Sequence, residues 1–168
     1  MEIKIEKAKA ADAEAILEFC RKCGSETDNL SFGAEGIPVP IEKEAAFLES
    51  LVNSDKGVFY VAKAGAEIVG TANYTAFTKN RMTHRGEFGI SVRKPFWNCG
   101  IGTALLEKIL DFAKNTAGSE IVSLEVRSDN KAAIHLYEKY GFQKIGTFKG
   151  YFKINGVPVD FDIMELFL

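Results

Sequence analysis

Glu87-Phe-Gly-Ile-Ser-Val-Arg-Lys-Pro-Phe-Trp-Asn-Cys-Gly-Ile-Gly-Thr-Ala-Leu-Leu-Glu-Lys-Ile-Leu110 is the stretch on which the reading of this chain turns. Phe88, Ile90 and Val92 alternate with Gly89, Ser91 and Arg93, the period-two pattern of a strand with one buried face, and Pro95 ends it. The period then changes. Ile101, Ala104, Leu105, Ile109, Phe112 and Ala113 recur at three and four residues, which predicts an amphipathic helix starting near Gly100. The first turn of such a helix has free backbone N–H groups at the positive end of its dipole, and Gly100 and Gly102 let another molecule come close. Two readings of the glycine pair stand: a plain turn, or a phosphate site. A P-loop is excluded because no Gly-Lys-Ser or Gly-Lys-Thr follows, and a dinucleotide fingerprint would need glycine where Leu105 stands.

Working outward, 168 residues of ordinary globular composition predict one domain spanning residues 1–168. A formal charge of −2 argues against nucleic acid as a partner. The N-terminal Met1-Glu-Ile-Lys-Ile-Glu-Lys mixes charges with apolar residues, so neither a signal peptide nor a membrane span is expected, and the expected location is cytoplasmic. Three cysteines fit a reducing compartment. Cys20-Arg-Lys-Cys23 has redox or zinc spacing, but no second pair accompanies it and it falls within a helical pattern, so no metal is expected.

Taken in order, Ile3 and Ile5 mark a first strand. A helix follows, with Ala13, Ile16, Leu17, Cys20 and Cys23 on one face and Gly24 expected to end it. Residues 25–40 read as a long loop, and Phe47, Leu48, Leu51 and Val52 as the stripe of a second helix. Residues 58–62 and 68–76 predict a hairpin turning at Ala64-Gly65. Beyond the central helix, residues 121–126 form a short strand, which makes a parallel crossover with the strand at 87–92. A helix over about 130–140 buries Ala133, Leu136, Tyr137 and Tyr140, with His135 on its solvent side. Two last strands, 143–153 and 157–166, flank the hairpin signal Asn155-Gly156.

Two blocks, Ile90 to Thr103 and Leu124-Glu-Val-Arg-Ser-Asp-Asn-Lys-Ala-Ala-Ile-His-Leu-Tyr-Glu-Lys-Tyr-Gly-Phe142, resemble the GNAT superfamily of acyl-CoA-dependent N-acetyltransferases. The likeness is strongest to the ribosomal-protein alanine acetyltransferases and related small-molecule enzymes. It implies an α/β (α+β) fold: a mixed, mostly antiparallel sheet of about seven strands, helices on both faces, and fourth and fifth strands parallel and splayed. It also implies acetyl-CoA as cosubstrate. Ile90, Ser91 and Val92 would present backbone to pantetheine, Asn98, Cys99, Gly100, Ile101, Gly102 and Thr103 would cradle the pyrophosphate, and Asn130 would contact the cofactor. The chain departs from the family pattern at Trp97, where Arg or Gln is usual, and at Asn98 and Cys99, where basic residues are common. Phosphate binding would then rest on backbone more than on side chains.

The chemistry needs a neutral amine, and an alkyl ammonium has a pKa of about 10.4, so a base must take its proton. By resemblance Glu125 matches the family's catalytic glutamate and is the favoured base, with Glu87 its rival. Tyr137 matches the general acid, and a backbone N–H near Val92 would polarise the thioester carbonyl. Each residue has a plainer alternative: exposed strand carboxylates for the two glutamates, core packing for the tyrosine. The resemblance puts the acceptor between residues 25–40 and the last hairpin. Glu26, Asp28 and Glu35 could attract an ammonium there, whereas Lys79, Arg81, His84 and Arg85 could meet an anionic acceptor or the CoA phosphates. The reading is an enzyme acting on an amine acceptor, a small molecule or a peptide N-terminus, with room left for a homodimer. The alternative is a silent acyl-CoA-binding domain.

Overall fold

Short alternating segments separated by glycine-bearing turns become seven strands: β1 Ile3–Lys7, β2 Gly57–Ala64, β3 Glu67–Ala76, β4 Arg85–Val92, β5 Ile121–Arg127, β6 Gln143–Ile154 and β7 Val157–Phe167. The segments of helical period become α1 Ala13–Glu26, α2 Ile41–Leu51, α3 Ile101–Asp111 and α4 Lys131–Lys139. The structure is a computed structural model that describes residues 2–168, so Met1 lies outside the description. The strands form one sheet in the order β1-β2-β3-β4-β5-β7-β6, antiparallel at every step except β4–β5. One face carries α1 and α2 over Val61 and Ile68, and the other carries α3 and α4 over the larger core. This is the mixed α/β architecture expected from the sequence.

Local chemistry explains most element ends. Asn155 and Gly156 have φ of 50° and 79°, the paired positive values of the tight turn between β6 and β7. Asn130 caps α4 by accepting the Ala133 N–H at 3.3 Å. Two expectations are corrected. Gly24 does not end α1, which runs on to Glu26; instead the Gly33 carbonyl rests on it, where a Cβ would lie 2.0 Å from that oxygen. On α2, Leu48 is buried but Phe47 and Val52 are exposed, because the helix packs through its Glu44, Ala45 and Leu48 side.

The site is positioned by a divergence. β4 and β5 pair only at Arg85–Ile121, Gly86–Val122 and Glu87–Ser123. Past these residues each strand keeps its outer partner, β4 holding β3 to Val92–Gly70 and β5 holding β7 to Arg127–Phe161, so the two part. Among the described residues no helix is long and apolar enough to cross a membrane.

Candidate active site

The gap between β4 and β5 exposes backbone. Val92 opposes Gly70, and the Arg93 N–H donates to the Val69 carbonyl at 2.9 Å, which makes Gly70–Val92 a non-hydrogen-bonded pair of the antiparallel ladder. The N–H and C=O of Val92, and of Ile90 two residues back, therefore point away from β3 and into the gap. Apart from the Val92 carbonyl, which the following loop engages, they are the unsatisfied edge that an extended amide chain can pair with.

The loop after β4 curls back on this edge. The Trp97 indole N–H donates to the Val92 carbonyl at 2.8 Å, and the Cys23 thiol approaches the same oxygen at 3.7 Å. Glu26 holds the start of the loop: its carboxylate accepts from Arg93 Nη2 at 2.6 Å and from the Lys94 N–H at 2.8 Å, while Arg93 also pairs with Glu67. Burial pulls the Glu26 carboxyl up, but Arg93 and the Lys94 N–H outweigh it and hold the pKa below the ordinary value.

From Asn98 to Thr103 no backbone N–H donates to another described residue, the first intrahelical bond being Ala104 N–H to the Gly100 carbonyl at 3.0 Å. Asn98 and Gly100 are left-handed, with φ of 61° and 79°, and the chain turns these amides toward one concavity at the α3 N-terminus. Nearby, Arg93 is already paired with Glu26, and the Lys94 ammonium lies 6.0 Å from the Trp97 ring.

A cleft of about 360 Å³ joins these parts, lined by Ile90, Ser91, Val92, Asn98, Gly100, Ile101, Gly102, Thr103, Asn130 and Tyr137. Cys99 alone of the expected cofactor residues does not line it; its thiol turns back to the Trp97 carbonyl at 3.5 Å. Cys23, Thr27, Asn29 and Leu30 close the cleft from the α1 side, a contribution that sequence reasoning missed because no motif marks it. Tyr137 reaches the cleft from α4 with its ring edge-on to Phe88 and Phe142, at 5.9 and 5.8 Å between centroids. Burial pushes its phenol up to about 12.

Glu87 and Glu125 do not line this cleft. They stand on the α1 side of the sheet, alternate to the buried Phe88 and to Leu124 and Val126, in the part of that face beyond the helices. Neither has a salt-bridge partner among the described residues. Tyr151 of β6 joins them. A hydrogen bond to the Glu125 carboxylate, then partial burial and the fields of Glu125 and Glu87, raises its phenol pKa.

Other charged residues take different places from those expected. Glu26 is committed to Arg93, whereas Glu35 accepts the Gly33 N–H at 2.9 Å and has no cationic partner among the described residues. Lys79, Arg81 and His84 lie before β4 and Arg85 begins it, whereas the glycine loop leaves its other end, a strand length of roughly 23 Å away, so they do not reach that loop. Arg85 is itself paired with Glu165. Cys20 and Cys23 are buried in α1, and burial raises their thiols to about 11 and about 12. Among the described residues no cluster of three or more His, Cys, Asp or Glu is arranged to hold a metal.

Splayed parallel strands, a strand edge open to an amide chain and a glycine-led helix N-terminus define an acyl-CoA-type cleft. In agreement, residues 14–142 match the model of the acetyltransferase (GNAT) family. The chain is 30% identical over 159 residues to the L-amino acid N-acetyltransferase AaaT of Escherichia coli, covering 95% of this chain and 94% of that protein. It is 34% identical over 112 residues to the N-alpha-acetyltransferase RimI of Mycobacterium tuberculosis, covering 67% and 68%. A GNAT acetyltransferase structure from Streptococcus pneumoniae superposes with a TM-score of 0.94 at 31% identity, covering 99% of this chain and 100% of that one. The chain belongs to the GNAT family of acetyltransferases.

Proposed function

We propose that this enzyme transfers an acetyl group from acetyl-CoA to a primary amine, on a small molecule or a peptide N-terminus, by direct attack. The observation that carries the reading is the gap between β4 and β5, with two unpaired carboxylates on one side of the sheet and a buried phenol in the cleft. The residues fit the cosubstrate. The free N–H and C=O of Ile90 and the free N–H of Val92 suit the amides of pantetheine, and the N–H groups from Asn98 to Thr103 suit a pyrophosphate. Acetyl-CoA supplies the thioester.

Within this reading Glu125 accepts the proton of the ammonium, directly or through water, and Glu87 is its alternative. Tyr137 stays protonated throughout the working pH range and offers its hydrogen to the departing sulfur. That transfer is uphill for a phenol at about 12, so the hydrogen bond must form early and the proton move late. The Val92 N–H is the candidate to polarise the carbonyl. All three cysteines are free thiols, which supports a reducing compartment such as the cytoplasm.

The names of the two relatives, an L-amino acid and an N-alpha acetyltransferase, support an α-amine as acceptor. The test is a panel of amines assayed for release of free CoA thiol. Release that requires both the amine and acetyl-CoA is expected. Binding of acetyl-CoA without release from any amine would return the chain to a silent binding domain.

A further inference from the structure

β6 and β7 pair at Phe148–Phe161 and again at Phe152–Val159, so Lys149, Gly150 and Tyr151 stand against Asp160 alone. This bulge is locked. Asp160 accepts the Gly150 N–H at 2.8 Å through one oxygen and Lys149 Nζ at 2.9 Å through the other, and Gly150 takes a left-handed φ of 58°. A bulge re-aims side chains. Here it sets the Tyr151 phenol within the influence of Glu125 and stacks the ring on Phe148 at 4.6 Å and 15°, and on Phe152 at 5.1 Å.

These rings share the face of the two carboxylates, because residues directly paired across strands point the same way. Ser123 pairs with Glu165, Glu125 with Ile163, and Phe161, the next in that alternation, with Phe148. Phe161 is buried and backs the stack edge-on to Tyr151 at 5.5 Å. Phe148 and Tyr151 nevertheless remain 40% and 41% exposed, two parallel rings open to whatever occupies the space beside Glu125. Negative charge attracts an ammonium, a ring face adds cation–π attraction, and the apolar ring surface favours a planar or apolar group attached to it.

We infer that Phe148 and Tyr151 form the wall of the acceptor site, and that the acceptor is a primary amine with a planar or apolar group within a few bonds of its nitrogen. The inference rests on the acetyl-transfer reading above. It favours such amines over amines of the same charge that carry no planar or apolar group.

The test uses the full chain with acetyl-CoA, thiol release as the readout, and four probe amines: 2-phenylethylamine, ethylamine, putrescine and glycine. Phenylalaninamide and the peptide amide Phe-Gly-Gly distinguish a free amine from a peptide N-terminus as the source of the group. The expected kcat/KM for 2-phenylethylamine exceeds that for ethylamine on the order of tenfold or more. Phe148→Ala should reduce this preference mainly through KM, and Phe148→Leu should reduce it less, with the acetyl-CoA-induced rise in Tm confirming that each variant folds. Turnover of ethylamine as efficient as that of 2-phenylethylamine would overturn the aromatic wall and leave acetyl transfer standing. A Phe148→Ala variant that folds and keeps the parental preference would overturn it too. No release from any amine, with acetyl-CoA bound, would remove the transferase reading and this inference with it.

Discussion

The Trp97 indole N–H donates to the Val92 carbonyl at 2.8 Å, tying the turn that precedes α3 to the strand edge that the cleft exposes. A residue that departs from the family pattern thus closes the anion-binding loop onto the backbone instead of offering a charge to it. One bond therefore couples the two parts of the proposed cosubstrate site, the edge of β4 and the amides at the α3 N-terminus.

Trp97→Phe keeps a ring but loses that bond. A single neutral hydrogen bond contributes about 0.5–1.5 kcal/mol, so the affinity for acetyl-CoA should fall roughly two- to tenfold. Trp97 is the only tryptophan in the chain, so its fluorescence should report cosubstrate binding directly. Calorimetric titration of both proteins checks the idea, since the variant has no tryptophan to report, and an unchanged Kd in the variant would deny the loop-closing role.

Gly102→Ala should separate stability from binding. A Cβ at Gly102 would meet Leu136 Cδ2 at 3.7 Å, ordinary contact, and alanine is better in a helix than glycine by roughly 0.5–1 kcal/mol. The free protein should therefore melt higher. Gly102 lines the cleft, so the same methyl would crowd a pyrophosphate bound at this turn, and the rise in Tm caused by acetyl-CoA should shrink. A variant with an undiminished ligand-induced shift would exclude this turn as the phosphate site.

Glu125→Gln should lower turnover more at neutral pH than at high pH, where more of the amine is already deprotonated. Glu87→Gln is the comparison, since the two carboxylates share a face and both act on the Tyr151 phenol. Rate profiles against pH decide between them. A pH-dependent loss confined to Glu87→Gln would reverse the assignment.

Tyr137→Phe should slow turnover by roughly 10²- to 10⁴-fold, the range for a positioned acid, with acetyl-CoA affinity held within a few fold. The ring contacts to Phe88 and Phe142 survive the substitution, so the fold should too. Single-turnover acetyl transfer at the parental rate, with chemistry rate-limiting, would leave Tyr137 only a packing role.

Glu26→Gln tests the clamp on Arg93. The Glu26 carboxyl titrates below its ordinary value in the folded protein, so the stability it contributes is fully present above the unfolded pKa of about 4.3 and is lost as pH falls through the lower folded value. The parent should melt above the variant at neutral pH, and the two should converge in that acid window. Melting curves from neutral pH down to about pH 3 measure it, and a gap independent of pH would mean that the carboxylate's charge is not what holds Arg93.

Much of this protein is legible from local periodicity. Phe88 alternating around Gly89, Leu105 and Ile109 on one helical stripe, Asn155-Gly156 between two strands and Asn130 before a helix each encode an element through residues a few positions apart, because side-chain period and turn dihedrals are local properties. The sequence by itself therefore determined the element order, the glycine-led start of α3 and most of the residues that line the cleft beside it. What it could not determine depends on contacts between distant segments. Gly24 reads as a helix stop until Gly33 is seen lying on it, and Glu26 reads as a free carboxylate until Arg93 is brought across to it. Only the sheet order put Lys79 and Arg81 at the opposite end of β4 from the glycine turn and set β7 between β5 and β6. The locked bulge at Gly150 then turned Tyr151 toward Glu125, since the direction of a bulged side chain is set by the partner strand and leaves no period in its own sequence.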